Sequence, residues 1–408
     1  MRWISLFVLS SWLAVAGLAA WWPLPPLAGE LRGEFSPVPG RILQWHVVLE
    51  GSAESQRPGE LVVTGEGAEL RVAFELNAVT GVVRWRITEG RIDLATWLPA
   101  LAAYLERTDL LDLEMQGLLV LAGEGEDGAQ GLSGRVVADL KDVSLKHLTL
   151  DAELEGIEGR IGGLIEALRV GDVPFDLSVR TITTPRFGAR LLAVRGKVVG
   201  YSSVDVASAR IEIAGGSAEA DLFSATLEPL AVAARIRLTR VGLQDIVQLV
   251  PAALASANGR VNGDVRVAWS EAAGFQLGEG RLRLDSSEPT TLTLAASPGF
   301  LTSQVPARFV LLPAWLGPLS RWFSPVNPAH ETLRRIELGQ IPLQVQTFSV
   351  DLSPDGDVAG RTASIFIQGR PVDDGGVVER VTFQINVAGP LSDVLKLGIE
   401  QDFSVDLR

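Results

Sequence analysis

Histidines are the first residues of this chain to consider for chemistry, because they act as metal ligands and as catalytic bases. The three are His46, His147 and His330, and they lie far apart in the sequence. None has a second histidine at the spacing of a metal site. We therefore interpret them as half-exposed strand and turn residues, and we predict no metal ligands.

Acidic and glycine-rich stretches are the next candidates. The turns at 355–357 and 373–375 could hold calcium loosely, but they lack the spacing of an EF-hand loop. The acidic run at 124–127 falls in a predicted hairpin loop, where charge is ordinarily solvated. Residues 159–163 contain three glycines without the dinucleotide-binding spacing, and no P-loop, G-x-S-x-G or HExxH motif occurs. The sequence predicts no catalytic residue, no cofactor and no enzyme activity.

Composition narrows the class of protein further. The chain has 408 residues, of which 47% are hydrophobic, with 42 glycines and 22 prolines. So many turn-forming residues favour short strands. The absence of cysteine excludes disulfides and fits an oxidising compartment such as a bacterial envelope. A net charge of −13 provides no basic face for a phosphate backbone, so we predict that no nucleic acid is bound.

Alternation of apolar and polar residues recurs from residue 41 onward and indicates strands with one apolar and one solvated face. In one example, Leu70, Val72 and Phe74 are separated by Arg71 and Ala73. The apolar residues expected to line a common face are Leu70, Val72, Phe74, Val265, Val267, Leu282, Leu284, Phe348, Val350, Leu352, Val381, Phe383 and Ile385. The arginines expected to face water in the same region are Arg266, Arg281 and Arg283.

One hairpin pattern occurs twice. Residues 117–139 and 263–285 each read as a strand, a polar glycine-rich turn and a second strand, and their glycines stand 146 positions apart. Each copy follows an apolar stretch with helical spacing, at 92–106 and 241–255. We expect these helices to cover open sheet ends. Residues 311–336 form an aromatic, proline-rich segment expected to cover apolar surface, with contact to a membrane interface as the alternative.

The N-terminus predicts a membrane anchor. Residues 4–22 carry no charge, and as a helix they would extend roughly 28 Å, close to the thickness of a bilayer core. The alternative is a cleaved signal peptide; both send the remaining chain across the membrane. The residues expected to contact lipid in the anchor are Leu6, Phe7, Leu9, Leu13, Trp21 and Trp22.

The C-terminal part resembles the AsmA-like envelope proteins, and specifically the YdbH type with its so-called dicarboxylate transport domain. The resemblance lies in residues 263–285, 348–371 and 381–398. It implies a Gram-negative protein anchored in the inner membrane by one span, with its body in the periplasm, that moves phospholipids between the inner and outer membranes. It also implies a small outer-membrane lipoprotein partner that adds strands at the C-terminal edge, where residues 403–407 form the predicted last strand.

Together these observations predict a mainly β fold. We expect an elongated, curved, repetitive antiparallel sheet that forms an apolar groove, with a few short helices and an N-terminal transmembrane helix. The predicted divisions are an anchor or signal peptide at 1–24, the first part of the groove at 25–240, including the helix at 92–106, and its YdbH-like part at 241–408. The predicted function is phospholipid transfer. The alternative is a structural or adhesion-type exported β-protein with a dry sandwich core.

Overall fold

The computed structural model describes 17 stretches of the chain. They are residues 29–38, 40–51, 55–104, 111–149, 151–166, 169–170, 172–185, 188–199, 202–227, 229–247, 254–270, 272–296, 298–299, 301–309, 325–354, 361–372 and 377–388. The predicted anchor, most of the segment at 311–336 and the predicted last strand at 403–407 lie outside them. Within the described stretches, no helix has the length and apolarity needed to cross a membrane.

Strands dominate the described chain and form one large open antiparallel sheet. The first eleven strands are β1 (Gly29–Val38), β2 (Arg41–Leu49), β3 (Gln56–Gly65), β4 (Ala68–Asn77), β5 (Val83–Asp93), β6 (Leu113–Gly128), β7 (Gly131–His147), β8 (Ala152–Glu166), β9 (Arg169–Val170), β10 (Val173–Thr183) and β11 (Gly188–Val199). The remaining ten are β12 (Ser203–Ile213), β13 (Gly216–Leu227), β14 (Leu230–Gly242), β15 (Leu254–Asn258), β16 (Arg260–Ser270), β17 (Gly274–Leu284), β18 (Thr290–Leu294), β19 (Leu343–Leu352), β20 (Arg361–Pro371) and β21 (Val381–Ala388).

Three helices accompany the strands in the described residues: α1 (Leu94–Tyr104), α2 (Leu243–Val247) and α3 (Pro328–Glu337). The prediction of a mainly β, antiparallel sheet with a few short helices is therefore confirmed. The chain divides into two compact units. The first comprises residues 1–211 and 221–231, and the second comprises 212–220 and 232–408.

In the first unit the sheet is a meander. From β1 to β8 each strand pairs with the next along the chain. β8 also pairs with the short β9 and with β10, and β10 pairs with β11. The core of this unit includes Leu43, Val63, Leu70 and Trp85, which all point to the same face. The polar residues between them point outward, as period-two alternation requires.

Helix α1 packs against this core, and Asp93 fixes its first turn. The Asp93 carboxylate accepts hydrogen bonds from the Ala95 N–H at 3.2 Å and from the Thr96 hydroxyl at 2.6 Å, which satisfies donors that a helix start leaves free. Trp97 follows one residue later, is only 3% exposed, and donates its indole N–H to the Glu66 carbonyl at 3.1 Å. The helix thus covers an end of the apolar face, as expected for 92–106.

A line of backbone irregularities crosses this meander. Gly117 on β6, Asp142 on β7, Gly156 on β8 and Leu191 on β11 all have positive φ, and strand pairing is interrupted beside them. The irregularities at Gly117, Asp142 and Gly156 accompany shifts in strand register, as a bulge with one extra residue produces. At Leu191 the register with β10 is the same on both sides, and the side chain points outward and is 55% exposed.

In the second unit β19 pairs with two different strands on the same side. Its N-terminal residues pair with β18 and its C-terminal residues pair with β17, while β20 pairs along its other side. β20 pairs in turn with β21, β16 with β17, and β15 with β18. These strands enclose an apolar core that includes Val261, Leu343, Ile367 and Phe383.

Helix α3 is a feature of the second unit that our interpretation of 311–336 did not include. Asn327 caps it by accepting the Ala329 N–H at 3.1 Å, and Pro328 occupies its first turn, where the missing N–H has no cost. Its Ile336 is fully buried in the core.

The last residue of α3, Glu337, is a buried carboxylate that holds the segment near residue 300. Its two oxygens accept the backbone N–H groups of Gly299, Leu301 and Thr302 at 3.1, 2.9 and 3.1 Å, and the Thr302 hydroxyl at 3.0 Å. Burial alone would raise the pKa of Glu337, but the backbone N–H donors and the Thr302 hydroxyl outweigh it, so the pKa lies below 4.5.

The predicted helix at 241–255 is wrong in extent. α2 covers only Leu243–Val247, and Leu254–Asn258 form β15, which pairs with β18 and buries Ala257. A proline at 251 removes a helix donor, and strand pairing satisfies the backbone beyond it.

Both predicted hairpins exist, as β6–β7 and β16–β17, but they differ in register. Gly134 lies opposite Gly125, whereas its sequence counterpart Gly280 lies opposite Val265, which corresponds to Leu119. The duplicated pattern therefore preserves the hairpin and its apolar face without preserving which residues pair.

Candidate functional site

The residues predicted to line a groove fall into the cores of the two units. In the first unit, Leu70 and Val72 are buried and Phe74 packs partly exposed against the same cluster. In the second unit, the buried predicted lining residues are Val265, Leu282, Phe348, Val350, Val381 and Phe383. Val267, Leu284 and Leu352 pack at the margin of that cluster. Ile385 lies on β21 opposite Ile365, and its side chain is outside the described part.

Both units contain residues with the burial of a packed interior: Phe348 and Phe383 in the second unit are each 3% exposed, and Val143 and Val179 in the middle of the first are each 2% exposed. In the first unit, a cross-strand row of half-buried side chains runs over β6, β7, β8, β10 and β11. The row consists of Leu119, Leu140, Gly159, Leu177 and Val194, and each residue lies opposite the next one on the adjacent strand. These side chains present an apolar surface that solvent reaches.

This row was not among the predicted lining residues, although part of its signal was visible. Phe175, Leu177 and Val179 alternate with polar residues in the same way as the predicted set. What the sequence does not show is the strand register, which places Leu140 and Leu177 on either side of Gly159.

Aromatic rings lie flat across glycines on the neighbouring strand of this apolar face. The directly opposed pairs are Trp45 with Gly33, Phe74 with Gly59, Trp85 with Gly125, and Phe175 with Gly196. A Cβ added to the glycine would come within 2.6 Å of Trp45 at Gly33, 2.6 Å of Trp85 at Gly125 and 2.9 Å of Phe175 at Gly196. Because glycine has no side chain, each ring packs directly over backbone atoms that would otherwise be exposed to solvent, and no side chain protrudes from the face at these positions.

The opposite face carries cross-strand ion pairs. Arg160 contacts Asp139 at 2.7 Å and Arg195 contacts Asp176 at 2.9 Å, each directly opposite on adjacent strands. The hydrogen bond from Arg160 lowers the pKa of Asp139. In the second unit, two predicted water-facing arginines, Arg281 and Arg283, share Asp351 at 2.8 and 3.1 Å. Such pairs keep this face solvated and contribute modestly to strand pairing.

Metal and acid–base chemistry find no support in the described residues. No group of three or more histidine, aspartate or glutamate side chains there could hold a metal ion. His46 contacts the carboxylate of Glu30 across β1 and β2, and His147 and His330 lie elsewhere. Glu124 lies on β6 and pairs with Arg86 at 3.2 Å, so it belongs to the ion-paired face.

No protein-family model and no curated protein sequence matches this chain. The features from which a function can be inferred are the apolar face itself, the aromatic rings packed on its glycines and the charges around it.

Proposed function

We propose that this protein is a cell-envelope lipid carrier that moves phospholipids between the inner and outer membranes along a hydrophobic β-groove. The observation that carries the proposal is the half-buried apolar row of Leu119, Leu140, Leu177 and Val194 in the described first unit. Solvent-reachable apolar side chains on four of five adjacent strands, with Gly159 on the strand between them, are a surface for which acyl chains are the fitting ligand.

The physical reason is the cost of exposing a lipid tail to water. Each methylene costs about 0.8 kcal/mol, so a 16-carbon chain costs about 12 kcal/mol. A row across five strands spans four strand spacings, or about 19 Å. An acyl chain lying along it would remain covered by apolar atoms throughout. Transfer of this kind requires no catalytic residue, which agrees with the prediction that the protein is not an enzyme.

Localisation and partners belong to the same proposal. The uncharged segment at 4–22 would anchor the protein in the inner membrane by a single span, with the body in the periplasm. A small outer-membrane lipoprotein would add strands at the C-terminal edge. β21 is the last strand among the described residues and pairs with β20. Addition of a strand to the edge of a sheet is a known mode of protein recognition.

A second candidate function has its own supporting observation. The lining residues predicted in the second unit are buried to the degree of a closed core, with Val350 7% and Phe383 3% exposed. A structural or adhesion-type protein with a dry core would have such an interior in both units. The half-buried row of the first unit is what favours lipid transfer over this candidate.

Adjacent residues on β11 provide the test. Val194 points to the apolar face and is half-buried, whereas Ala193 points outward and is exposed. A photoreactive benzophenone amino acid is placed at either position in the full chain, in cells grown with ³²P-phosphate. We expect ³²P-labelled lipid to be crosslinked at 194 and not at 193.

A substitution pair complements the crosslinking. Val194→Asp in the full chain is expected to abolish copurifying phospholipid, and Ala193→Asp is expected to leave it unchanged. Both variants are checked for wild-type circular dichroism. Wild-type lipid content in a folded Val194→Asp variant, together with no label at 194, would refute lipid binding on this face and favour the dry-core candidate.

A further inference from the structure

Arg57 is a cation on the apolar face of the first unit. It lies on β3 at an inward position, in alternation with Gly59, Leu61 and Val63, and directly opposite Leu76 on β4. Two residues further along β3, the ring of Phe74 covers Gly59. A guanidinium group therefore lies beside apolar side chains and glycine on this face.

One donor of this guanidinium lacks an acceptor among the described residues. The Nε atom of Arg57 is inaccessible to solvent and has no hydrogen-bond partner there. The same rung of the inner face continues from Leu76 to Val83 and then to Asp127. Asp127 is thus three strand spacings away, or about 14 Å, which is too far for an ion pair. Burial also raises the pKa of Asp127, which disfavours its charged form.

Arg41 shows what a structural arginine on the same face looks like. It also occupies an inward position, on β2, but its two terminal nitrogens contact the Glu66 carboxylate at 2.5 Å and the Thr96 carbonyl at 2.8 Å. Arg41 thereby ties helix α1 to the sheet. Among the described residues the Nε atom of Arg57 makes no comparable contact, and a buried donor without an acceptor is costly to the fold.

We propose that Arg57 binds the phosphodiester of a phospholipid whose acyl chains lie on the apolar face beside Phe74. This inference rests on the proposed function and adds a head-group site to it. The planar guanidinium can donate two parallel hydrogen bonds to a phosphate, and because Nε is closed to solvent, the phosphate would bind through the two terminal nitrogens. The adjacent apolar side chains exclude water, which strengthens the charge-assisted contact.

The test compares Arg57 with an arginine of the opposite face. Arg84 lies on β5 opposite Glu75 and is exposed. The full chain is titrated with three fluorescent lipids of equal chain length: a phosphatidylglycerol, a diacylglycerol without phosphate, and a fatty acid. We expect Arg57→Gln to weaken phosphatidylglycerol binding about tenfold or more and to leave diacylglycerol binding unchanged. Arg84→Gln is expected to change neither, and Arg57→Lys is expected to retain part of the affinity.

Each other outcome overturns a distinct statement. Unchanged phosphatidylglycerol binding in Arg57→Gln refutes the head-group site while lipid binding by the protein stands. A loss restricted to the fatty acid refutes the phosphodiester as the ligand in favour of a carboxylate. Absence of binding of any of the three lipids to the wild-type chain refutes the proposed function itself. If Arg57→Gln does not fold, as judged by circular dichroism, Arg57→Lys decides, because it keeps the positive charge. The ratio of its phosphatidylglycerol affinity to its diacylglycerol affinity is compared with the same ratio in the wild type. Equal ratios refute the requirement for the bidentate fork.

Discussion

Removal of the Glu337 carboxylate is expected to release the segment that it holds near residue 300. The side chain is 2% exposed and accepts three backbone N–H groups and one hydroxyl. Each buried donor left without an acceptor costs about 1–3 kcal/mol. Because Gly299 is itself exposed, water can replace part of the loss there, so we expect Glu337→Ala to lower the free energy of unfolding of the second unit by about 3 kcal/mol.

Glu337→Gln separates charge from shape. The amide keeps one acceptor oxygen but turns an NH₂ group toward a backbone donor, so we expect a smaller loss, about 1–2 kcal/mol. The matched control is Glu331→Gln on the same helix. Glu331 is exposed and contacts Arg334 at 3.7 Å, and such surface pairs contribute little. We expect the control to remain within about 0.5 kcal/mol of wild type.

The readout is amide hydrogen exchange of Leu301 and Thr302, whose N–H groups the carboxylate accepts. A local loss of about 3 kcal/mol corresponds to roughly 150-fold faster exchange. Since the folded pKa of Glu337 is depressed, its stabilisation is complete above its ordinary value of 4.5 and is lost as the pH falls below that value through the folded pKa. Acid should therefore abolish the difference between wild type and Glu337→Gln. Equal protection of these amides in wild type and Glu337→Ala at pH 7 would refute the reasoning.

Two further predictions concern the first unit. Trp97→Phe removes the indole hydrogen bond to the Glu66 carbonyl while keeping most of the buried ring, so thermal unfolding should show a loss of about 1 kcal/mol in the free energy of unfolding. Trp97→Ala should lower the free energy of unfolding by about 3–5 kcal/mol. Equal losses in the two variants would contradict the hydrogen bond as a separate contribution. Gly33→Ala places a Cβ 2.6 Å from the Trp45 ring, to which all three of its nearest atoms belong, and should destabilise by about 1–3 kcal/mol. Gly29→Ala, whose Cβ would meet open space, should be neutral; equal denaturant midpoints for the two variants would show that the ring does not pack on the glycine.

Much of the sheet could be predicted from the sequence because alternation is a direct consequence of strand geometry. Leu70, Val72 and Phe74 lie on one face, as their spacing predicts. The prediction weakens at bulges, where one residue with positive φ changes which side chains point inward. Aspartate adopts positive φ more often than most residues, so the type of Asp142 is a weak signal, whereas nothing in the residue type of Leu191 indicates such a conformation.

The helices show a different limit. The start of α3 carries recognisable signals, since Asn327 is a good N-cap and Pro328 is favoured in a first turn. We interpreted the region by its aromatic content and missed those signals. Leu254–Asn258 continue an apolar stretch with helical spacing yet form β15, because pairing with β18 outweighs local preference. The distance between Arg57 and the nearest carboxylates likewise depends on how the strands pair in the tertiary structure, which the sequence pattern does not reveal.

The meander from β1 to β8 has a consequence for how such a chain can change in length. Every strand in it pairs with its neighbours along the chain. A copied hairpin inserted between two of these strands would add two strands to the sheet and leave all the other pairings unchanged. The register difference between β6–β7 and β16–β17 shows that two similar hairpins can satisfy their backbones in different alignments. A gene encoding this fold could therefore gain or lose whole hairpins. The number of strands in the sheet could change during evolution without substitutions in the residues of its apolar face.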